Sequence, residues 1–315
     1  MKAGNRLALP AVSLLFVASP LFSQVGGQSQ DRALQSPEIQ RAYQLENAGD
    51  VRGALKIYEK ALKANRDSYS LNADAGVALD LLGQGSKARD HFDRAIAAAD
   101  TPEHKAIALR AVAMSYAFEA NCRKADESEE MVFDYFIGTG DFYQQGEMSD
   151  EAARVCLDSG DFDMAEKLYR RGHDVGLKEP NIKPARVDLW NFRLENALAR
   201  LAIRRHNREE AEKHVAAAKA ILDKGTNPGQ APFMPALVGY VDFYAGDYKA
   251  ALEQLQLANQ RDAFIQCLIA QSYEKLGDKA NAVEFYRKAA ATISHNPPAA
   301  YAVPFSKKKL AELKG

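Results

Sequence analysis

A short pattern recurs along this chain and leaves few folds open to it. Gly49-Asp50, Ala54, Tyr58 and Ala61 reappear 34 residues later as Gly83-Gln84, Ala88, Phe92 and Ala95. The same order returns at Gly160-Asp161 (Ala165, Tyr169, Gly172) and His206-Asn207 (Ala211, Val215, Ala218). Two further copies begin at Gly246-Asp247 (Ala251, Leu255, Ala258) and Gly277-Asp278 (Ala282, Tyr286, Ala289). A small residue stands 12 positions before each anchor alanine, at Ala42, Gly76, Ala153, Ala199, Gly239 and Ala270.

Each copy reads as helix, tight turn, helix. Glycine takes the left-handed conformation that ends the first helix. The Asp or Asn after it caps the free N–H groups of the second. The small residues let the two helices approach closely. The residue four after the anchor alanine shares its helical face and fills the gap. One such hairpin cannot bury its apolar face alone, so copies must stack.

The 34-residue step and the order small…Gly…Ala-x3-Tyr/Phe…Ala resemble the tetratricopeptide repeat (TPR) over roughly residues 37–295. The family's early Trp in the first helix and its Pro at the repeat end are mostly missing. The resemblance implies an all-α fold: a right-handed α-solenoid of about seven stacked hairpins. It also implies a protein-binding scaffold whose first helices line a concave groove. A carboxylate-clamp peptide site would need Lys and Asn where this chain has Ile39, Tyr43, Ala73 and Val77.

The division expected is repeats 1–4 over 37–175, a Pro-containing insert at 176–184, repeats 5–7 over 185–296 and a cap or tail over 297–315. The third repeat is degenerate, with Glu129 in the aromatic slot. Its helices are expected near Lys105–Ala120 and Arg123–Ile137. The insert is a candidate kink between two stacks. The run Lys307 to Leu313 reads as a short polar capping helix.

Before the repeats, Lys2 and Arg6 precede an uncharged stretch from Leu7 to Phe22, and Ser23 offers a small residue for cleavage. This is the layout of a secretory signal peptide over 1–23. The span is short for a bilayer helix, so no integral membrane span is expected after its removal. An uncleaved N-terminal anchor is the alternative. Residues 24–36 read as a flexible leader. Export, to the periplasm or outside the cell, follows as the expectation.

Lys plus Arg is 41 and Asp plus Glu is 42, a net charge of −1. With no basic excess, nucleic acid is not an expected partner. None of the six histidines falls in a H-E-x-x-H motif, and they read as surface residues; no metal and no cofactor is expected. Cys122, Cys156 and Cys267 read first as buried structural thiols, with a Cys122–Cys156 disulfide as the alternative that export permits. Trp190 reads as helix packing. No nucleophile–base pair is visible, so no enzyme activity is expected.

One stripe stands out. Arg193, Asn196, Arg200 and Arg204 fall at steps of 3, 4 and 4 and share a helical face about 16 Å long. The matching offsets in the next two units include Phe233, Tyr240 and Tyr244, then Gln271 and Lys275. A cationic strip beside an aromatic one suits an acidic or C-terminal segment of an unidentified protein or peptide partner. The alternative is a solvated basic face with its aromatics packed in the core. At the level of function, the alternative to a groove is a structural or chaperone-like component of an envelope assembly that acts through its convex surface.

Overall fold

The computed structural model describes residues 36–313, and among these there are α-helices and turns but no strand. The expected signal peptide lies outside the described residues, as does the leader up to residue 35. The helices come in pairs: α1 (Pro37–Asn47) with α2 (Val51–Ala64), α3 (Tyr69–Leu81) with α4 (Gly85–Ala98), and α5 (Pro102–Phe118) with α6 (Cys122–Thr139). Next come α7 (Phe142–Ser159) with α8 (Phe162–Gly176), and α9 (Pro184–Arg204) with α10 (Arg208–Asp223). The last pairs are α11 (Met234–Ala245) with α12 (Tyr248–Leu255) and α13 (Ala263–Lys275) with α14 (Lys279–Ala290). A 3-10 turn, Pro228–Phe233, leads into α11, and α15 (Pro297–Glu312) is the last described helix. Seven hairpins thus stack into an all-α solenoid.

The repeat's residue types explain the packing. The anchors Ala54, Ala88, Ala165, Ala211, Ala251 and Ala282 are all fully buried. A Cβ on Gly76 would sit 2.4 Å from the Phe92 ring, and one on Gly239 would sit 2.7 Å from Leu255 Cγ. The small residue of the first helix is therefore a seat for the large residue of the second. At the turns, Asp50, Asp161, Asn207 and Asp278 each accept a backbone N–H three residues on. Asp247 occupies the same place without such a bond. His206 and Ala120 take the left-handed conformation that glycine supplies in the sister repeats, with φ of 61° and 54°.

In the degenerate third repeat an acid stands in the aromatic slot, and Phe133 and Phe136 one and two turns on pack the hairpin's core. Glu129 is buried, and neither carboxylate oxygen has a hydrogen-bond partner. Burial, and then the negative Glu151, push its carboxyl well above the usual range. Arg110 of α5 grips Glu151 of α7 with two bonds of 2.6 and 2.5 Å. A disulfide joins Cys122 at the start of α6 to Cys156 in α7, with 4.7 Å between Cα atoms. The reading of all three cysteines as free buried thiols is thus corrected: only Cys267 is a buried free thiol. The third and fourth hairpins are covalently stapled. Across the turn at 177–183, α9 packs on α8 through Ala197 and Leu201 against Ala165 and Leu168. Trp190 of α9 is fully buried in a slot made by Gly146 and Gly176.

The chain's last helix is not a short polar cap. It starts at Pro297, runs for 16 residues and buries Ala299, Ala300, Ala302 and Val303. It packs on α13 and α14 at one end of the stack, and also on α5 and α7. Val303 and Ala299 share an apolar cluster with Leu81 of α3. His295, just before it, meets Asp80 of α3 at 2.9 Å, and Lys307 donates to the Leu81 carbonyl. One helix about 24 Å long touches the first helices of the second, third, fourth and seventh hairpins. That is possible only if the stack curves with its first helices on the inside. The two ends approach each other: a cleft of about 300 Å³ has Gly49–Arg52 on one wall and Ala290–Thr292 on the other. His295 and Asp80 are both buried, which corrects the expectation of surface histidines; His206 alone of the six is exposed.

Candidate ligand-binding face

The α9 stripe lies on the inner side, but its four members do not share one environment. Arg193 donates to Glu147 of α7 and to the Tyr143 hydroxyl, and its guanidinium lies 5.0 Å from the Trp190 ring. It is a neutralised member of an ion pair. Asn196 is half-buried. Arg200 and Arg204, one and two turns further on, belong to no ion pair among the described residues; each lies over an aromatic ring. Arg200 lies 5.2 Å from the Tyr240 ring centroid. Arg204 lies 4.8 Å from Tyr244 and 5.1 Å from Phe162, and donates to the Tyr240 hydroxyl at 3.3 Å.

The aromatic partners are part core and part wall. Tyr240 is fully buried and Tyr244 half-buried, their rings 4.6 Å apart. Burial pushes both hydroxyls above the usual tyrosine range, so both stay protonated donors near neutral pH. Phe233 stands apart, half-exposed at the end of the 3-10 turn. Gln271 is half-buried and turned toward Cys267 at 3.5 Å, and Lys275 is exposed at the end of α13. The structure therefore groups Arg200, Arg204, Tyr240 and Tyr244, and leaves Arg193, Phe233 and Lys275 outside that group.

Two residues of α7 complete it. Arg154 bonds Asp158 at 2.8 Å, one turn along the same helix, and stacks on the Phe264 ring at 4.2 Å. Arg154 and Arg200 are close enough to repel: burial first, and then the Arg154 charge, lower the pKa of Arg200. The visible signal for Arg154 is an arginine inside the apolar run Ala152-Ala153-Arg154-Val155-Cys156. Beside the group, a cleft of about 250 Å³ opens between α15 and the wall of α5 and α7. Asp158, Tyr301 and Phe305 line it, with Phe118 and Pro304, and Lys308 stands among them. Among the described residues, no group of three or more His, Cys, Asp or Glu is placed to hold a metal ion. No helix among them is long and apolar enough to cross a membrane.

Residues 265–292, which span α13 and α14, match the family model described as "Tetratricopeptide repeat". The chain contains a tetratricopeptide repeat. No curated protein matches it. Among solved structures it is similar to a tetratricopeptide repeat protein from Parabacteroides merdae ATCC 43184, with 16% identity, 91% of this chain and 100% of that one covered, and a TM-score of 0.49. It is also similar to a Rap protein complexed with Competence and Sporulation Factor, with 14% identity, 90% and 79% covered, and a TM-score of 0.48. The matched repeat is the seventh hairpin, one of those on which α15 docks.

Proposed function

We propose that the protein is a non-enzymatic protein-interaction scaffold of an exported compartment, and that it holds a peptide or protein segment on its inner face. The observation that carries this reading is the wall of α9 and α11. Arg200 and Arg204 lie over tyrosine rings there and are paired with no carboxylate among the described residues, so their guanidiniums keep donors for a ligand. Planar donors beside aromatic rings suit a segment that brings a carboxylate and apolar side chains. Export is supported by the uncharged run Leu7–Phe22 behind two basic residues, and by the Cys122–Cys156 bond, which persists in an oxidising compartment.

A second reading has its own support. Because α15 packs on α5 and α7, that stretch of the inner wall is closed to a partner, and an envelope assembly would engage the outer second helices. Capture of partners from envelope extracts separates the two. Arg204→Glu with Lys275→Glu reverses charge at a half-buried member of the inner group and at the exposed end of the first helix of the seventh hairpin. Lys213→Glu does so on α10, at an exposed site. The inner-face reading expects partner loss with the first pair only. Loss with Lys213→Glu alone would transfer the function to the outer surface.

A further inference from the structure

The interior of the fourth to sixth hairpins holds more positive charge than the chain neutralises there. Arg154, Arg200 and Arg204 bring three guanidinium groups, and among the described residues Asp158 is the one carboxylate bonded to any of them. Arg154 Nη2 and Arg200 Nε are fully buried and have no hydrogen-bond partner. Asp158 Oδ1, also buried, has none either. A buried charge without a counter-ion is costly, and natural proteins pair such groups. Arginine cannot escape by losing its proton, since it stays charged at any pH a protein survives. The remaining relief is an anion from outside.

We propose that Arg154, Arg200 and Arg204 form an internal oxyanion site that takes a phosphate group. The stacking geometry prepares it. Phe264, Tyr240 and Tyr244 carry the guanidiniums of Arg154, Arg200 and Arg204 at 4.2, 5.2 and 4.8 Å, and guanidinium forks match phosphate oxygens two at a time. The charge count selects the class. Three guanidiniums against one carboxylate leave two positive charges, which a phosphate dianion balances and a single carboxylate does not. The Tyr240 hydroxyl, already bonded to Arg204, adds a neutral polar group at the site. The cleft beside α15 adjoins the group through Asp158, which lines it and also holds Arg154. Its apolar walls, Phe118, Tyr301 and Phe305, have room for whatever an esterified phosphate is attached to.

The inference rests on the inner-face reading in that Arg200 and Arg204 serve both, but it needs no protein partner. The test is calorimetric titration of the full chain with inorganic phosphate and with phenyl phosphate, against sodium acetate at equal ionic strength. Saturable binding of both phosphates is expected; tighter phenyl phosphate marks an ester as the source, and equal or weaker binding marks the free ion. Arg200→Gln is expected to weaken binding about tenfold or more, and Arg204→Lys to weaken it by less, because the charge stays while the fork is lost. Arg170→Gln, on exposed α8 surface, leaves it unchanged.

A purely structural arginine is excluded by a second readout. Arg200→Gln raises the melting temperature in phosphate-free buffer, because an unpaired buried charge is gone, and abolishes the further rise that phosphate gives the native protein. No saturable phosphate binding, binding indifferent to Arg200→Gln, or an equal response to acetate overturns the site. Partner capture in phosphate-free buffer is a separate result, so the groove and the phosphate site fail independently.

Discussion

His295 Nε2 lies 2.9 Å from Asp80 Oδ2 across 215 positions of chain, with both side chains almost wholly enclosed. Asp80 also accepts the Ser115 hydroxyl at 2.8 Å, and the His295 ring stacks on Phe118 at 5.3 Å. One contact thus joins the second hairpin, the third hairpin and the terminal helix. His295→Ala leaves a buried carboxylate with one of these donors gone. A loss of about 1–3 kcal/mol is expected, read as a lower urea midpoint at unchanged slope. An unmoved midpoint would mean that the last helix is not docked on the second hairpin.

Thiol chemistry tests the staple. Cys267 is fully buried, and burial pushes its thiol up to about 12. The native protein should therefore show no thiol reactive toward iodoacetamide. Denaturation should release one, and reduction two more. Replacing Cys122 and Cys156 by alanine should cost about 2–4 kcal/mol, seen as a lower guanidinium midpoint in non-reducing buffer.

Two glycines should respond in opposite directions. A Cβ at Gly176 would fall 2.1 Å from Trp190 Cε2, so Gly176→Ala forces the indole out of its slot. The expected cost is about 1–3 kcal/mol. Gly138, inside α6, has nothing within 4 Å of the added carbon. Gly138→Ala should gain about 0.5–1 kcal/mol from helix entropy. Melting curves of the two variants check the sign of each.

The half-buried acid Asp150 makes stability depend on pH. Burial raises its carboxyl from 3.8 to about 8, while Arg193 acts in the opposite direction. Between these values the folded protein keeps the proton and the unfolded chain gives it up. Stability contributed by this group is therefore full below pH 3.8, falls as pH rises, and levels off above about 8. Asp150→Asn should remove that slope and raise the urea midpoint at pH 8. A slope unchanged in the variant would locate the effect elsewhere.

The hairpins were legible because their determinants are local. Ala54 packs beside its own turn, and Gly76 seats Phe92 within one hairpin, so a fixed spacing carries the information. The inner face was legible only in outline. Arg193 and Arg200 look alike in sequence, and Glu147, 46 residues upstream of Arg193, makes them different. Arg154 and Asp158 sit on another hairpin altogether. The destination of α15 was hidden for the same reason. Its three lysines read as solvated, while Ala299, Ala302 and Val303 find their partners across the curve of the stack. Asp80, inside the run Leu79-Asp80-Leu81-Leu82, was the one local hint that something polar arrives there.

A stack held only by neighbours can fray from either end, one hairpin at a time. Here the last helix bridges the seventh hairpin to the second, third and fourth, so neither the tail nor the early hairpins can peel away without breaking contacts at the far end of the chain. Unfolding becomes a single event where a linear array would unravel in steps. Synthesis runs the other way. The inner faces of the early hairpins leave the ribosome before the helix that covers them, which follows all seven hairpins.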